Sequence, residues 1–148
     1  MLELDDDAII CGGREIRSPW NVNVGKSTVG SDCILDGRYG IVIKDSACLG
    51  VGVHIWTAQH DVQDADFETE GKCGKVIIEK YVWLASNSTV LPMITIKEGS
   101  VLASGGIATK DIEAYTINAG IPARIVGYRT RYLCYKCGKK QNIGNSIK

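Results

Sequence analysis

This sequence has no excess of charge of either sign: 17 Lys and Arg balance 17 Asp and Glu, for a formal net charge of zero. Bulk binding to the phosphate backbone of nucleic acid therefore has no electrostatic support. Long apolar runs are also lacking. Nothing approaches the roughly 20 apolar residues of a membrane span, so no membrane insertion is expected. The opening MLELDDDAII is acidic and does not read as a secretory signal, so a cytoplasmic chain with reduced thiols is expected. Histidine is scarce, with His54 and His60 the two present. A three-histidine zinc centre is one ligand short, and no metal is expected at the site. There is one CxxC, Cys134 to Cys137, followed by Gly138. It looks like half of a zinc ribbon, and Cys73, a His or a neighbouring subunit would have to complete it. A redox pair and a tail without a role are the competing readings.

What is present is a period. Ile78, Leu84, Val90, Ile96, Leu102 and Ala108 stand six apart, and Val82, Ser88, Ile94, Ser100 and Gly106 each follow four later. Ile43, Leu49 and Ile55 form a second register, with Ala47 and Val53 in the plus-four slots. Val29 and Leu35, with Cys33, form a third. A short fixed period of this kind marks a solenoid, here an all-β prism of hexapeptide repeats, and fits ordinary buried strands poorly. The aliphatic residue points inward, and a smaller one fills the bend. Cys33 in such a slot reads as a space-filler. The two-residue slip between Leu35 and Ile43 predicts an irregular turn over 37–40. Residues 61–75 lack the pattern and hold five acids, two lysines and two glycines, so they read as an excursion loop. The single domain then divides into a cap at 1–20, repeats over 22–109 and an extension and tail over 110–148. That last segment carries eight Lys or Arg against two acids, against nine and fifteen before it.

Candidate chemistry falls at the irregular places. Residues 24–28, VGKST, look like the end of a phosphate-binding loop. Trp20 stands where its first glycine belongs, and no strand-then-helix context exists. Asp36 and Arg38 at the slip suit either a polar ligand or a local ion pair, which is worth little at a surface. His60 opens the acidic excursion in TAQHD. Histidine is the side chain best suited to take and return a proton near neutral pH, and a loop on a rigid scaffold is a good place for it. His54, one hexad earlier, reads as a surface residue without a role. Asn87-Ser88-Thr89 fits a glycosylation pattern, but a repeat position argues against its use.

The segments CILDGRYGIVI (33–43), HIWTAQHDVQDADF (54–67), VIIEKYVWLASNSTVLP (76–92), ASGGIATKDI (103–112) and NAGIPARIVG (118–127) together resemble the hexapeptide-repeat acyltransferases. Among these the chain is most similar to saccharide O-acetyltransferases of the galactoside, maltose and capsular or colanic-acid type. The resemblance implies a left-handed parallel β-helix, a hand the general rule for parallel crossovers would not predict. It implies a homotrimer with sites between subunits and acetyl-CoA as co-substrate. It places the catalytic base on His60 and the site tryptophan on Trp83. Coenzyme A contacts fall on Ser86, Ser104, Thr109, Lys110 and Arg124, and an acceptor contact on Asp36. The chain departs from the family at Glu79, Ala85, Leu91, Lys97 and Ala103, which stand where glycine is usual.

The chemistry agrees. A hydroxyl attacking a thioester must lose its proton, and one positioned His supplies about 10²–10⁴-fold. Holding donor and acceptor together removes the need for a protein nucleophile. The function expected is O-acetylation of a sugar or polysaccharide unit by acetyl-CoA. Alternatives are N-acetylation of an amino sugar or sugar nucleotide, and a non-catalytic scaffold. A carbonic anhydrase of the γ type would need the missing third histidine.

Overall fold

The computed structural model describes residues 1–137; the end of the tail, 138–148, lies outside the described residues, including the Gly138 that follows the CxxC. The chain winds into a three-sided prism of parallel strands two to four residues long. One face stacks Glu3–Leu4, Val22–Val24, Ile41–Ile43, Val76–Ile78 and Thr95–Ile96. The second stacks Ile9–Ile10, Thr28–Val29, Cys48–Leu49, Trp83–Leu84, Val101–Leu102 and Thr116–Ala119, with Arg124–Tyr128 pairing antiparallel at its end. The third stacks Glu15–Arg17, Ile34–Asp36, His54–Ile55, Thr89–Val90 and Ile107–Ala108. No helix among the described residues is long and apolar enough to cross a membrane.

The period of six is the walk from face to face, and three steps return to the same face one coil up. Three inward ladders result. Val24, Ile43, Ile78 and Ile96 stack along the first face. Val29, Leu49, Leu84 and Leu102 stack along the second. Leu35, Ile55, Val90 and Ala108 stack along the third. All are buried, and each fully buried Leu or Ile stabilises the prism by about 1.5–3 kcal/mol. At many corners the residue before the small inward one takes a left-handed backbone, as at Asp32, Ser46, Asn87 and Gly99. Glycine enters that region freely and asparagine or aspartate readily, whereas Tyr81, Met93 and Tyr115 adopt it at a cost of about 1–2 kcal/mol each.

The weakly patterned start is a coil in its own right and covers one end of the prism. Leu4, Ile10 and Ile16 continue the step of six and pair with Val24, Val29 and Leu35. At the other end the leucine ladder stops on Asn118, buried, whose side chain donates to Thr116 Oγ1 at 2.8 Å. A polar rung under the antiparallel strand ends the apolar stack, as a solenoid terminus requires. The slip forms a short 3-10 turn, Gly37–Tyr39, and residues 57–75 leave the prism. Beyond Tyr128 the chain turns back along the prism. Arg129 donates to the carbonyls of Tyr81 and Gly99, and the Tyr135 hydroxyl donates to the Tyr81 carbonyl at 2.8 Å.

Candidate active site

His60 stands at the root of the excursion, bridged antiparallel to Glu70 on the returning limb. The two limbs are zipped together by Gly71 N–H to the Gln59 carbonyl and Gly74 N–H to the Thr57 carbonyl, both 2.9 Å. Position 71 needs glycine for close approach, since a Cβ there would lie 2.5 Å from the His60 carbonyl oxygen.

The loop also fixes the imidazole. Its Nδ1 lies 3.1 Å from the carbonyl oxygen of Phe67. A carbonyl only accepts, so in the neutral ring Nδ1 carries the proton and Nε2 the lone pair. Phe67 supplies that carbonyl with φ at +52°, a strained angle for a bulky residue that costs about 1–3 kcal/mol. The two rings also meet edge to face, 5.5 Å between centroids. Asp64 holds the loop by accepting the N–H groups of Asp66 at 3.1 Å and Thr69 at 2.6 Å. Its contacts to Thr69 and Asp66 hold its carboxyl below the usual value. His60 lines a pocket of about 220 Å³ with Arg38, Gln59, Phe67, Glu70 and Cys73.

Asp36 lies behind that pocket, fully buried. Its carboxylate accepts Arg38 Nε at 2.8 Å and Nη2 at 2.9 Å. Burial pushes its pKa up, but the hydrogen bonds from Arg38 outweigh this and hold it below the usual value. The local ion pair is therefore half inside the protein, and the group it presents to the pocket is Arg38. The Thr57 hydroxyl donates to the Asp36 carbonyl at 2.6 Å and accepts the Tyr39 N–H at 3.0 Å. The Tyr39 hydroxyl sits against Glu70, whose carboxylate pushes the phenol up to about 12. Prism, turn and loop are thereby one connected unit around His60.

The other expected residues fall in three places. Trp83 is on the second face, 47% exposed, between Cys48 and Val101. A single chain thus puts it on the second face, away from His60 on the loop between the third and first faces. Ser86 and Ser104 stack one coil apart at the corner between the second and third faces, where Gly105 N–H donates to the Ser86 carbonyl at 3.1 Å. Thr109 and Lys110 are exposed at the corner that also bears the His60 loop, two coils away. Lys110 and Arg124 line one pocket of about 220 Å³ with Asp111 and Glu113. Both acids are engaged elsewhere, Asp111 with the Thr95 N–H and Glu113 with Lys97. Sequence reasoning missed Phe67, Tyr39 and Glu70. Its one available signal was the chain's single phenylalanine in a polar loop.

Residues 24–28 run from strand to corner to strand, with the Ser27 hydroxyl donating to the Lys44 carbonyl at 2.7 Å, and so make no phosphate loop. Cys33 fills its slot, its thiol donating to the Gly50 carbonyl at 3.2 Å. Cys137 is half-buried against Cys48, and burial together with that thiol pushes it up to about 12, while Cys134 is exposed. Among the described residues no group of three or more His, Cys, Asp or Glu is placed to hold a metal ion.

No protein-family model matches the chain. A Schizosaccharomyces pombe protein named "Putative serine acetyltransferase" is 32% identical over 106 residues, 72% of this chain and 38% of the relative. The chain spans 38–55% of the length of the first curated relatives it matches. Among solved structures, a maltose O-acetyltransferase from Clostridium difficile superimposes with a TM-score of 0.77 at 26% identity, covering 87% of this chain and 70% of the other. A hexapeptide-repeat acetyltransferase from Vibrio cholerae, complexed with acetyl-coenzyme A, gives 0.76 at 22% identity, with 84% and 72% covered. A Bacillus cereus N-acyltransferase, in complex with dTDP and 3-hydroxybutyryl-CoA, gives 0.74 at 20% identity, with 85% and 82% covered. The prism has the fold of these proteins and winds with the left hand.

Proposed function

We infer that this chain, whose structural neighbours are hexapeptide-repeat acyltransferases, moves an acetyl group from acetyl-CoA to a hydroxyl of a sugar or polysaccharide unit. The observation that supports this best is His60, whose Nδ1 is tied to the Phe67 carbonyl so that Nε2 is left as the base. Nε2 takes the hydroxyl proton as the acceptor oxygen attacks the thioester carbonyl. The C–S bond then breaks, and the departing thiolate takes the proton back from the imidazolium. No covalent bond to the protein forms. Lys110 and Arg124 suit the phosphates of coenzyme A, because, of the acids beside them, Glu113 is already paired with Lys97 and Asp111 is turned to the Thr95 N–H. Trp83 lies on the second face and His60 on the loop at the corner between the other two, which fits a homotrimer whose sites draw the two from neighbouring chains. The exposed apolar side chains Ile125, Val126 and Tyr128 on the end strand offer surface for such contacts. The likeness to an N-acyltransferase, one mutant of which is in complex with dTDP-4-amino-4,6-dideoxyglucose and coenzyme A, favours a second reading, in which the acceptor is the amine of an amino sugar or sugar nucleotide.

One experiment separates these readings. Thermal stability is measured with and without acetyl-CoA, and thiol release is followed over a panel of sugars, amino sugars and sugar nucleotides. Stabilisation by acetyl-CoA with His60-dependent thiol release on a hydroxyl acceptor is the expected result. A chain that neither binds nor consumes acetyl-CoA is not an acetyltransferase.

A further inference from the structure

Arg38 lines two cavities. One is the His60 pocket. The other, about 520 Å³, runs along the first face and is lined by Trp20, Asn21, Asn23, Tyr39, Lys75 and Glu3. We propose that the two are subsites of one acceptor site, and that the acceptor is a neutral saccharide of two or more units. The unit bearing the reacting hydroxyl sits at His60, and the next units pass Arg38 onto Trp20. This rests on the acetyl-transfer reading above and adds the class of acceptor.

Three observations support it. The first is the platform. Trp20 is 64% exposed, yet it is carried on the short turn Pro19–Asn21, which is docked against the Arg38 turn. The Asn21 side chain donates to the Arg38 carbonyl at 3.3 Å. A Cβ on Gly37 would lie 2.8 Å from the carbonyl oxygens of both Arg17 and Ser18, so the turns meet with no room for a side chain. Trp20 and Arg38 are thus carried on two turns docked as one piece, which lowers the ordering cost of binding against them. The second is the donor set. The Asn21 and Asn23 amides each spend one N–H, on the Arg38 carbonyl and on Glu3, and with the guanidinium, the Lys75 ammonium and the remaining carboxylate lone pairs around an indole they suit a ring with an apolar face and a rim of hydroxyls. The third is charge. Arg38 is matched by buried Asp36, and Glu3 faces the same groove as Lys75. The groove has no net cationic surplus with which to hold a nucleoside diphosphate, so its chemistry favours an uncharged chain of sugars. The groove alone falls within the volume of roughly 300–1,000 Å³ usual for small-ligand sites.

The test uses the full chain, acetyl-CoA and mono-, di- and trisaccharides of glucose, galactose, mannose and N-acetylglucosamine, with UDP-glucose alongside. In a series that is acetylated, kcat/KM for the trisaccharide should exceed that for the monosaccharide by about tenfold. In Trp20→Ala that ratio should fall toward one, in Trp20→Phe most of it should return, and Asn23→Ala should lower it in part. Melting curves identify any variant that fails to fold, and Trp20→Phe and Asn23→Ala then decide. A monosaccharide or UDP-glucose as the best acceptor, or a ratio that survives in Trp20→Ala, overturns the proposal. Acetyl-CoA binding with no saccharide acetylated also overturns it, while leaving acetyl transfer to another acceptor standing. Absence of acetyl-CoA binding removes the parent reading itself.

Discussion

The carbonyl oxygen that fixes His60 belongs to Phe67, seven residues further along the loop that His60 opens, and lies 3.1 Å from Nδ1. The proposed base and the group that orients it share one excursion, so loop order and base orientation are a single property. His60→Ala should lower kcat by about 10²-fold or more. The side chain is exposed, so stability should change by no more than about 1 kcal/mol, the worth of its one hydrogen bond. His54→Ala is the control, because His54 sits on a strand of the third face against Trp56. Activity in His60→Ala within a few-fold of wild type would end the assignment.

Gly71→Ala probes the same property without touching the imidazole. The added methyl meets the His60 carbonyl oxygen at 2.5 Å, a backbone atom that cannot yield as a side-chain tip would. The returning limb must shift, and His60 and its Phe67 partner with it. The expected result is a kcat loss of about tenfold or more from misplacement, with the melting transition of the prism largely kept. Gly12→Ala, where nothing lies within 4 Å of the new Cβ, should change neither by more than about 0.5 kcal/mol. Equal effects of the two substitutions would show that the loop is not held as described.

The prism was legible because its cause is periodic: Ile78, Leu84 and Val90 declare three faces at a glance, and Ile96 returns to the first. The same step of six runs through Leu4, Ile10 and Ile16, but Asp5, Asp6 and Asp7 break up the apolar signal there, and the first coil reads as a loose cap. His60 was legible as a residue type in a motif. Its orientation was not, because a backbone carbonyl seven residues away has no side-chain signature. Asp36 and Arg38 were legible as a local pair. That the carboxylate is buried was not legible, because it depends on how neighbouring coils pack around the turn, and the turn meets Arg17, Ser18 and Val22 of the coil before it.

Asp36→Asn tests that burial through pH. The folded carboxyl titrates below its unfolded value because Arg38 outweighs the cost of burial. Its contribution is therefore complete above the unfolded pKa of about 3.9 and is lost as pH falls through the lower folded value. Urea unfolding from pH 8 to pH 5 should show the variant less stable by a constant amount, about 1–3 kcal/mol. Below about pH 4 the gap should narrow as the wild-type carboxyl protonates. A gap that stays constant into strong acid, or widens, contradicts the ion-pair account of this site.

Lys110 and Arg124 are the groups proposed to hold coenzyme A, and their surroundings set how their loss should read. They share one pocket. Of the acids around them, Glu113 is held by Lys97 at 2.9 Å and Asp111 accepts the Thr95 N–H at 2.8 Å. The two cations are thus left available to an anion, and both are exposed. An exposed pair of opposite charges is worth about 1 kcal/mol at most, so each alanine variant should raise KM for acetyl-CoA about fivefold at low salt. Added salt should shrink that difference, since screening acts over about 10 Å at 0.1 M. The reacting atoms are untouched, so kcat should hold. A fall in kcat with KM unchanged would move these residues from binding to chemistry. An unchanged KM in both variants would take them out of the site.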